Sequence, residues 1–275
     1  MKDEMKEFLQ SDYIYWSDMP KDDRKTIFSF GGGVDSTGML FEFDRQGYMP
    51  DILIFADTGA ERPDIYAHIE KLNKWLGDKW GKEIIIVKNK ETLYDECIRL
   101  KTLPSLALGF HTCSQKHKIR PIAKWLRANG YRNIIRIIGF DANEFDRARR
   151  GLTSVENGKN TEEKGIDQKI WFPLIEWGKS RKQLKEEINE VGFCASRSSC
   201  FFCPANNTSS IRRLKEYYPE LYEKAIFLED NAKDKMRGSV KGLGRSLNWR
   251  KAMQQQELFQ LQDMEGVQTC GCINW

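Results

Sequence analysis

Residues 29–37 read Ser-Phe-Gly-Gly-Gly-Val-Asp-Ser-Thr. Glycines let the backbone approach an anion closely and turn its N–H groups inward. A helix starting just after them offers unpaired N–H groups and the positive end of its dipole to the same anion. Gly31, Gly32 and Gly33 therefore read as a phosphate cradle. Ser36 and Thr37 add hydroxyl donors, and Asp35 is placed to help hold Mg²⁺ on bound phosphates. No Gly-Lys-Ser/Thr closes the loop, so it is not a Walker A motif. Nor does it have the GxGxxG spacing of a dinucleotide site.

The cysteines carry the second chemistry. The chain has seven, and such a set in an intracellular protein argues against a disulfide framework. Cys200 and Cys203 have the spacing at which two sulfurs bind one centre; with Cys113 and Cys194 they make four thiolates. That number satisfies either a 4Fe-4S cluster or a Cys₄ zinc site, and spacing alone does not choose between the metals. Cys97 falls within a helical pattern and reads as a small core residue. Cys270 and Cys272 sit near the carboxyl end, where a tail thiolate is suited to enter a site and leave it for a reductant.

The elements that must position these groups follow from hydrophobic runs. Residues 26–30 are an apolar, β-prone strand, followed by the glycine loop and a helix through Met39, Leu40 and Phe43. Near-continuous apolar strands recur at 51–56, 83–87 and 133–138, as buried parallel sheets require. Residues 171–174 are expected to close the sheet. Helices are expected from Pro63 to about Leu76, over 92–100, around 122–126, from the cap Ser180 to about Val191, and over 211–228. The alternation predicts an α/β fold with an open, mostly parallel sheet flanked by helices. In such sheets ligands bind beyond the carboxyl ends of the strands, where the glycine loop and Asp57-Thr58-Gly59 both lie. The expected division is a nucleotide-binding domain over 1–192 and a helical, cysteine-bearing region over 193–275.

Composition sets the frame. Of 275 residues 40% are hydrophobic and 31% charged, enough for a sizeable core. No stretch has the length and apolarity of a membrane span, so the expectation is a cytoplasmic protein with no membrane partner. The net charge of +4 permits an anionic substrate without arguing for nucleic acid. Residues 230–250 are locally basic and are expected to form an amphipathic helix pair over the core, the alternative being a track for a nucleic-acid backbone with Trp249 as a stacking surface. His111 and His117 read as satisfied histidines, and Lys116, Arg120, Arg149 and Arg150 as a solvated basic face.

Five stretches in order resemble the PAPS reductase branch of the adenine-nucleotide α-hydrolase superfamily, over roughly residues 25–205. They are the Gly31–Ser36 loop, Asp57-Thr58-Gly59, the segment from Cys113 to Lys118, the set Gly139, Glu144 and Arg147, and Cys200-Phe-Phe-Cys203-Pro, preceded by Pro173-Leu-Ile-Glu-Trp177. Gly31 stands where the superfamily's pyrophosphate loop has Ser, and Ser29-Phe30 is closer to the reductase version. The resemblance implies nucleotide contacts from Ser29, the loop, Asp57, Thr58, Gly59, Lys118, Gly139 and Arg147. It also implies an iron–sulfur centre, although Thr112 replaces one member of the reductases' Cys-Cys pair and Cys194 would have to supply the missing ligand. The tail Cys270-Gly271-Cys272 is similar to the reductases' nucleophilic terminus, with Thr269 in place of its Glu.

Three functions are compatible with these features. The first is an ATP pyrophosphatase that adenylates an acceptor, a nucleic acid or small molecule, for thiolation with sulfur from a donor protein. The second is a reductase of the sulfonucleotides APS or PAPS, with Cys270 or Cys272 as nucleophile and a thiol reductant as partner. The third is a non-catalytic nucleotide sensor or iron–sulfur partner protein.

Overall fold

A computed structural model describes residues 23–108, 112–156, 163–236, 238, 240–245 and 247–259. Five strands form one sheet in the order β3-β2-β1-β4-β5: β1 Lys25–Phe30, β2 Ile52–Asp57, β3 Ile84–Lys88, β4 Asn133–Ile137 and β5 Asp167–Trp171. The strands are parallel, with Phe28 opposite Leu53 on one side and Ile137 on the other. The order reverses direction at β1, so the loops after β1 and β4 diverge there. Such a switch point is where open α/β sheets bind ligands. The fold class read from the sequence is observed.

The chain divides into two compact units, and the second is assembled from separate stretches. The first unit comprises the sheet, α1 Val34–Arg45, α2 Pro63–Trp80, α4 Arg120–Ala128, α5 Phe145–Glu156 and α6 Arg181–Glu190. Its core lies on both sheet faces. Phe28, Phe30, Met39, Phe43, Leu72 and Trp171 fill one side; Ile27, Ile54, Ala123 and Leu126 fill the other. Strand residues alternate between faces, so Ile27 and Phe28 enter different cores.

The second unit takes residues 57–62, 88–118 and those from 199 onward, with α3 Leu93–Leu100, α7 Thr208–Tyr217, α8 Pro219–Ala232 and α9 Trp249–Phe259. A single cut at 192/193 assigns the first two of these stretches to the other domain. The unit's core joins Leu93, Cys97, Phe202, Leu214, Leu228 and Trp249.

Local chemistry explains where elements depart from expectation. The helix expected over 211–228 is two helices, because Pro219 opens α8 and Tyr218 before it leaves helical geometry at φ −139°. The helix pair expected over 230–250 is not formed. After a short 3₁₀ turn, Lys233–Lys235, a tight turn joins Gly242 to Arg245, and α9 starts only at Trp249. The buried Glu229 carboxylate holds this loop by accepting from the Leu243 N–H at 2.6 Å and the Trp249 N–H at 3.1 Å. The last strand ends at Trp171, and Pro173–Glu176 is one helical turn rather than strand. His111, Cys270 and Cys272 lie outside the described residues. No helix among the described residues is long and apolar enough to cross a membrane.

Candidate functional site

In the first unit the glycine loop does what its sequence suggests. β1 ends at Phe30 and α1 begins at Val34. Gly32 sits at φ +73°, a conformation that only glycine adopts without strain. Gly33 is the helix N-cap with extended backbone and no side chain to cap the first turn. Most helices place Ser, Thr, Asp or Asn there to occupy an N–H group. Here the first-turn donors are left for an external acceptor. The Ser36 hydroxyl accepts from the Gly33 N–H at 3.2 Å and donates back to the Gly33 carbonyl at 3.1 Å, which stiffens the turn. Gly139, just after β4, packs beside this turn: a Cβ there would lie 3.6 Å from the Ser36 nitrogen, an ordinary contact distance.

Beside this turn stands a carboxylate cluster. Asp35, Asp141 and Glu144 each offer an oxygen within 4.8 Å of the others. Arg181, at the start of α6, serves all three. Its Nε donates to Asp35 Oδ1 at 2.8 Å and its Nη2 to Oδ2, while Asp141 lies 3.7 Å and Glu144 3.9 Å away. The Asp35 hydrogen bonds raise the guanidinium's pKa further. Arg147, expected as a nucleotide contact, instead donates to Glu144 Oε1 at 2.7 Å and lies over the Phe140 ring at 4.5 Å.

Two expected donors face inward. Thr37 is fully buried and its hydroxyl meets His68 Nε2 at 2.8 Å. Burial depresses the pKa of His68 to about 4, so the imidazole is neutral and this pair is a core hydrogen bond. Ser29, near the end of β1, has its Oγ shut off from solvent without a hydrogen-bond partner.

In the second unit Thr58, Lys118, Cys200 and Cys203 converge, a grouping the sequence did not suggest. The Thr58 hydroxyl lies 3.3 Å from Cys200 Sγ and 3.4 Å from Glu61 Oε1. Glu61 is buried, its second oxygen lacks a hydrogen-bond partner, and Lys118 Nζ stands 3.7 Å from the first. Burial works against the charge on Lys118, but Glu61 and the sulfurs of Cys200 and Cys203 raise its pKa overall. Burial, with Glu61, pushes the Cys200 thiol up strongly. Lys118 belongs to a π-helical turn, Gln115–Ile119, a rare distortion enriched at functional sites. That turn is anchored by Glu96, which pairs with Lys116 and accepts from or shares a proton with His117 Nε2 at 2.5 Å. Cys113 opens the same turn, with its N–H donating to Ser105 Oγ at 2.9 Å.

Cys113, Cys200 and Cys203 are reduced thiols of this unit and line its apolar core. Their sulfurs do not all lie within 4.8 Å of one another, unlike the Asp35, Asp141 and Glu144 oxygens, so no preformed three-thiolate metal site is seen among the described residues. Cys194 belongs to the first unit and is disulfide-bonded, so it is not the free fourth thiolate expected from the sequence. Cys97 is buried with its thiol pushed up to about 12, as fits the core role read from sequence. Asp57 closes a turn by accepting from the Gly59 N–H at 2.7 Å; Gly59, at φ +68°, has Thr92 packed where a Cβ would go.

No family model matches the chain. Two uncharacterised proteins of Methanocaldococcus jannaschii, MJ0973 and MJ0066, are each 25% identical to it, over 207 and 211 residues. Those matches take in 72% and 73% of this chain but 46% and 40% of the relatives, so the chain spans less than half of their length. Among solved structures, the U34-tRNA thiolase NcsA from Methanococcus maripaludis, with its 4Fe-4S cluster, is similar at a TM-score of 0.44 and 16% identity, over 98% of this chain and 83% of that one.

Sequence reasoning missed Arg181, Asp141 and Glu61. Asp141 carried a signal, since it follows β4 at the sheet's ligand edge. Arg181 and Glu61 carried none, because an isolated charge in a helix start or loop looks solvated until a partner distant in sequence is placed.

Proposed function

We propose that the chain is an adenine-nucleotide enzyme of sulfur chemistry, of the PAPS reductase-like kind, that spends ATP to activate an acceptor for thiolation. The observation that carries this reading is the uncapped first turn of α1, formed by Gly31 to Ser36 and set beside Asp35, Asp141 and Glu144. Backbone N–H groups seat the β- and γ-phosphates, and the carboxylates are disposed to hold the Mg²⁺ that accompanies them. An acceptor oxygen attacks the α-phosphorus. The new O–P bond forms as the bond to the bridging oxygen breaks, and pyrophosphate leaves on the loop. Arg181 keeps the three carboxylates compact before nucleotide arrives.

Cys113, Cys200 and Cys203 are the residues of the second unit that would hold a 4Fe-4S cluster, or zinc in its place. Such a centre supplies a site for sulfur binding and delivery. Lys118 balances the negative charge of the thiolates, and Glu61 holds Lys118 in position. In this reading the protein works in the cytoplasm with a nucleic-acid or small-molecule acceptor and a sulfur-donor protein.

The test is calorimetric titration of anaerobically purified protein with ATP, APS and PAPS in the presence of Mg²⁺. Selective ATP binding, with pyrophosphate release on adding an acceptor such as tRNA or DNA, is the expected result. Selective binding of APS or PAPS would replace this reading with a sulfonucleotide reductase that uses Cys270 or Cys272. Tight nucleotide binding without turnover would leave a sensor.

A further inference from the structure

We infer that Ser198 is a phosphate-binding residue of the glycine loop. The inference rests on reading that loop as a phosphate seat. It starts from Gly33, whose backbone angles, φ −101° and ψ −178°, are open to any residue. The turn therefore does not require glycine at this position. What excludes a side chain is Ser198: a Cβ on Gly33 would lie 2.9 Å from its Oγ and 3.3 Å from its backbone nitrogen. A backbone nitrogen cannot step aside as the end of a flexible side chain can, so Ser198 is held directly over the loop.

Its hydroxyl is aimed at the same small space that the loop keeps empty. A Cβ on Gly31 would meet Ser36 Oγ at 3.7 Å and Ser198 Oγ at 3.8 Å. Two hydroxyls thus flank the gap that Gly31 leaves. Ser36 already spends its hydroxyl on Gly33. Ser198, half-buried, is the hydroxyl left to donate to an oxyanion there. Its neighbour Ser196 serves as a contrast: the Ser196 hydroxyl donates to Asp64 Oδ2 at 2.8 Å and faces away from any such role. The ligand class is the terminal phosphates of a nucleotide, for which inorganic pyrophosphate is the minimal probe.

The experiment compares wild type, S198A, S198T and S196A by calorimetric titration with pyrophosphate and with ATP, each with Mg²⁺. S198A is expected to weaken both ligands by about tenfold, the worth of one hydrogen bond to a charged group. S198T, which keeps the hydroxyl, and S196A are expected to bind like wild type, with all thermal midpoints alike. Equal pyrophosphate affinity for S198A and wild type would overturn the inference. So would an equal loss in S198A and S196A, which would assign the effect to packing of the segment. If wild type binds neither pyrophosphate nor ATP, the phosphate-seat reading itself fails and the inference falls with it. That result is distinct from a binding-competent wild type matched by S198A.

Discussion

Arg181 grips the Asp35 carboxylate with two hydrogen bonds across 146 residues of sequence, tying the start of α6 to the start of α1. Three carboxylates that close together repel one another, and this guanidinium is the cation that offsets them. Arg181→Ala should lower stability by about 1 kcal/mol, discounted because the arginine is half exposed, or about 2–4 °C in thermal midpoint. Added Mg²⁺ or a second substitution, Asp35→Asn, should recover most of the loss. A variant insensitive to both would show that the pair does not serve charge balance.

His68 makes stability fall on acidification. Its folded pKa of about 4 lies below the ordinary 6.5, so between these values the unfolded chain binds a proton that the folded chain refuses. Stability should decline by on the order of 2–3 kcal/mol as pH drops from 6.5 to 4. Urea titrations across that range on wild type and His68→Gln measure it; the variant's profile should lack this decline.

Glu229 acts with the opposite sign. Burial raises its folded pKa to about 7 from 4.5, against the hydrogen bonds from Leu243 and Trp249 that favour its charge. The folded state then binds the extra proton, so stability is gained below 4.5 and lost as pH rises through 7. Glu229→Gln keeps an acceptor oxygen for both N–H groups and should stabilise the protein by about 1–3 kcal/mol at pH 8, with little effect at pH 4.5. The two slopes partly cancel in wild type. Each single variant should therefore show a steeper profile than the parent, readable by the same urea titrations.

Gly38 lies on α1 where a Cβ would come within 2.7 Å of Leu184 Cδ2 and 2.8 Å of its Cβ. Gly38→Ala gains about 1 kcal/mol of helix propensity but overpacks the contact by about 1–3 kcal/mol. A lower urea midpoint with an unchanged slope is expected; a higher midpoint would mean that α6 yields without cost.

Metal content separates the cysteines. Ser substitutions at Cys113, Cys200 or Cys203 should abolish the iron or zinc recovered with anaerobically prepared protein. Cys97→Ala should retain it. Elemental analysis decides, and equal content in all four variants would rule out these thiols as ligands.

The sequence made some of this legible and left some hidden, for identifiable reasons. The loop from Ser29 to Ser36 was readable because the turn itself is local: strand, left-handed Gly32 and helix start lie within eleven residues. Pro219 was equally visible as a break, yet the apolar periodicity on both sides of it read as one helix. Thr37 read as a ligand donor because its neighbours in sequence are, but α1 is buried on most of its surface and Thr37 turns toward His68. Thr58 and Lys118 were expected beside a nucleotide on the strength of resemblance; Thr58 meets Cys200 across 142 residues, and Lys118 meets Glu61 from a separate stretch, links that no periodicity connects.

The discontinuous second unit sets an order of events during synthesis. Its stretches 57–62 and 88–118 leave the ribosome early, while Cys200 and Cys203 emerge only after all five strands. A nascent chain can thus complete its sheet while Cys113 still waits for its companions. On the proposed reading, iron or zinc would be loaded late, onto an already organised scaffold, and a fragment ending before residue 200 would keep the glycine loop but lack two of the thiols proposed to hold the metal.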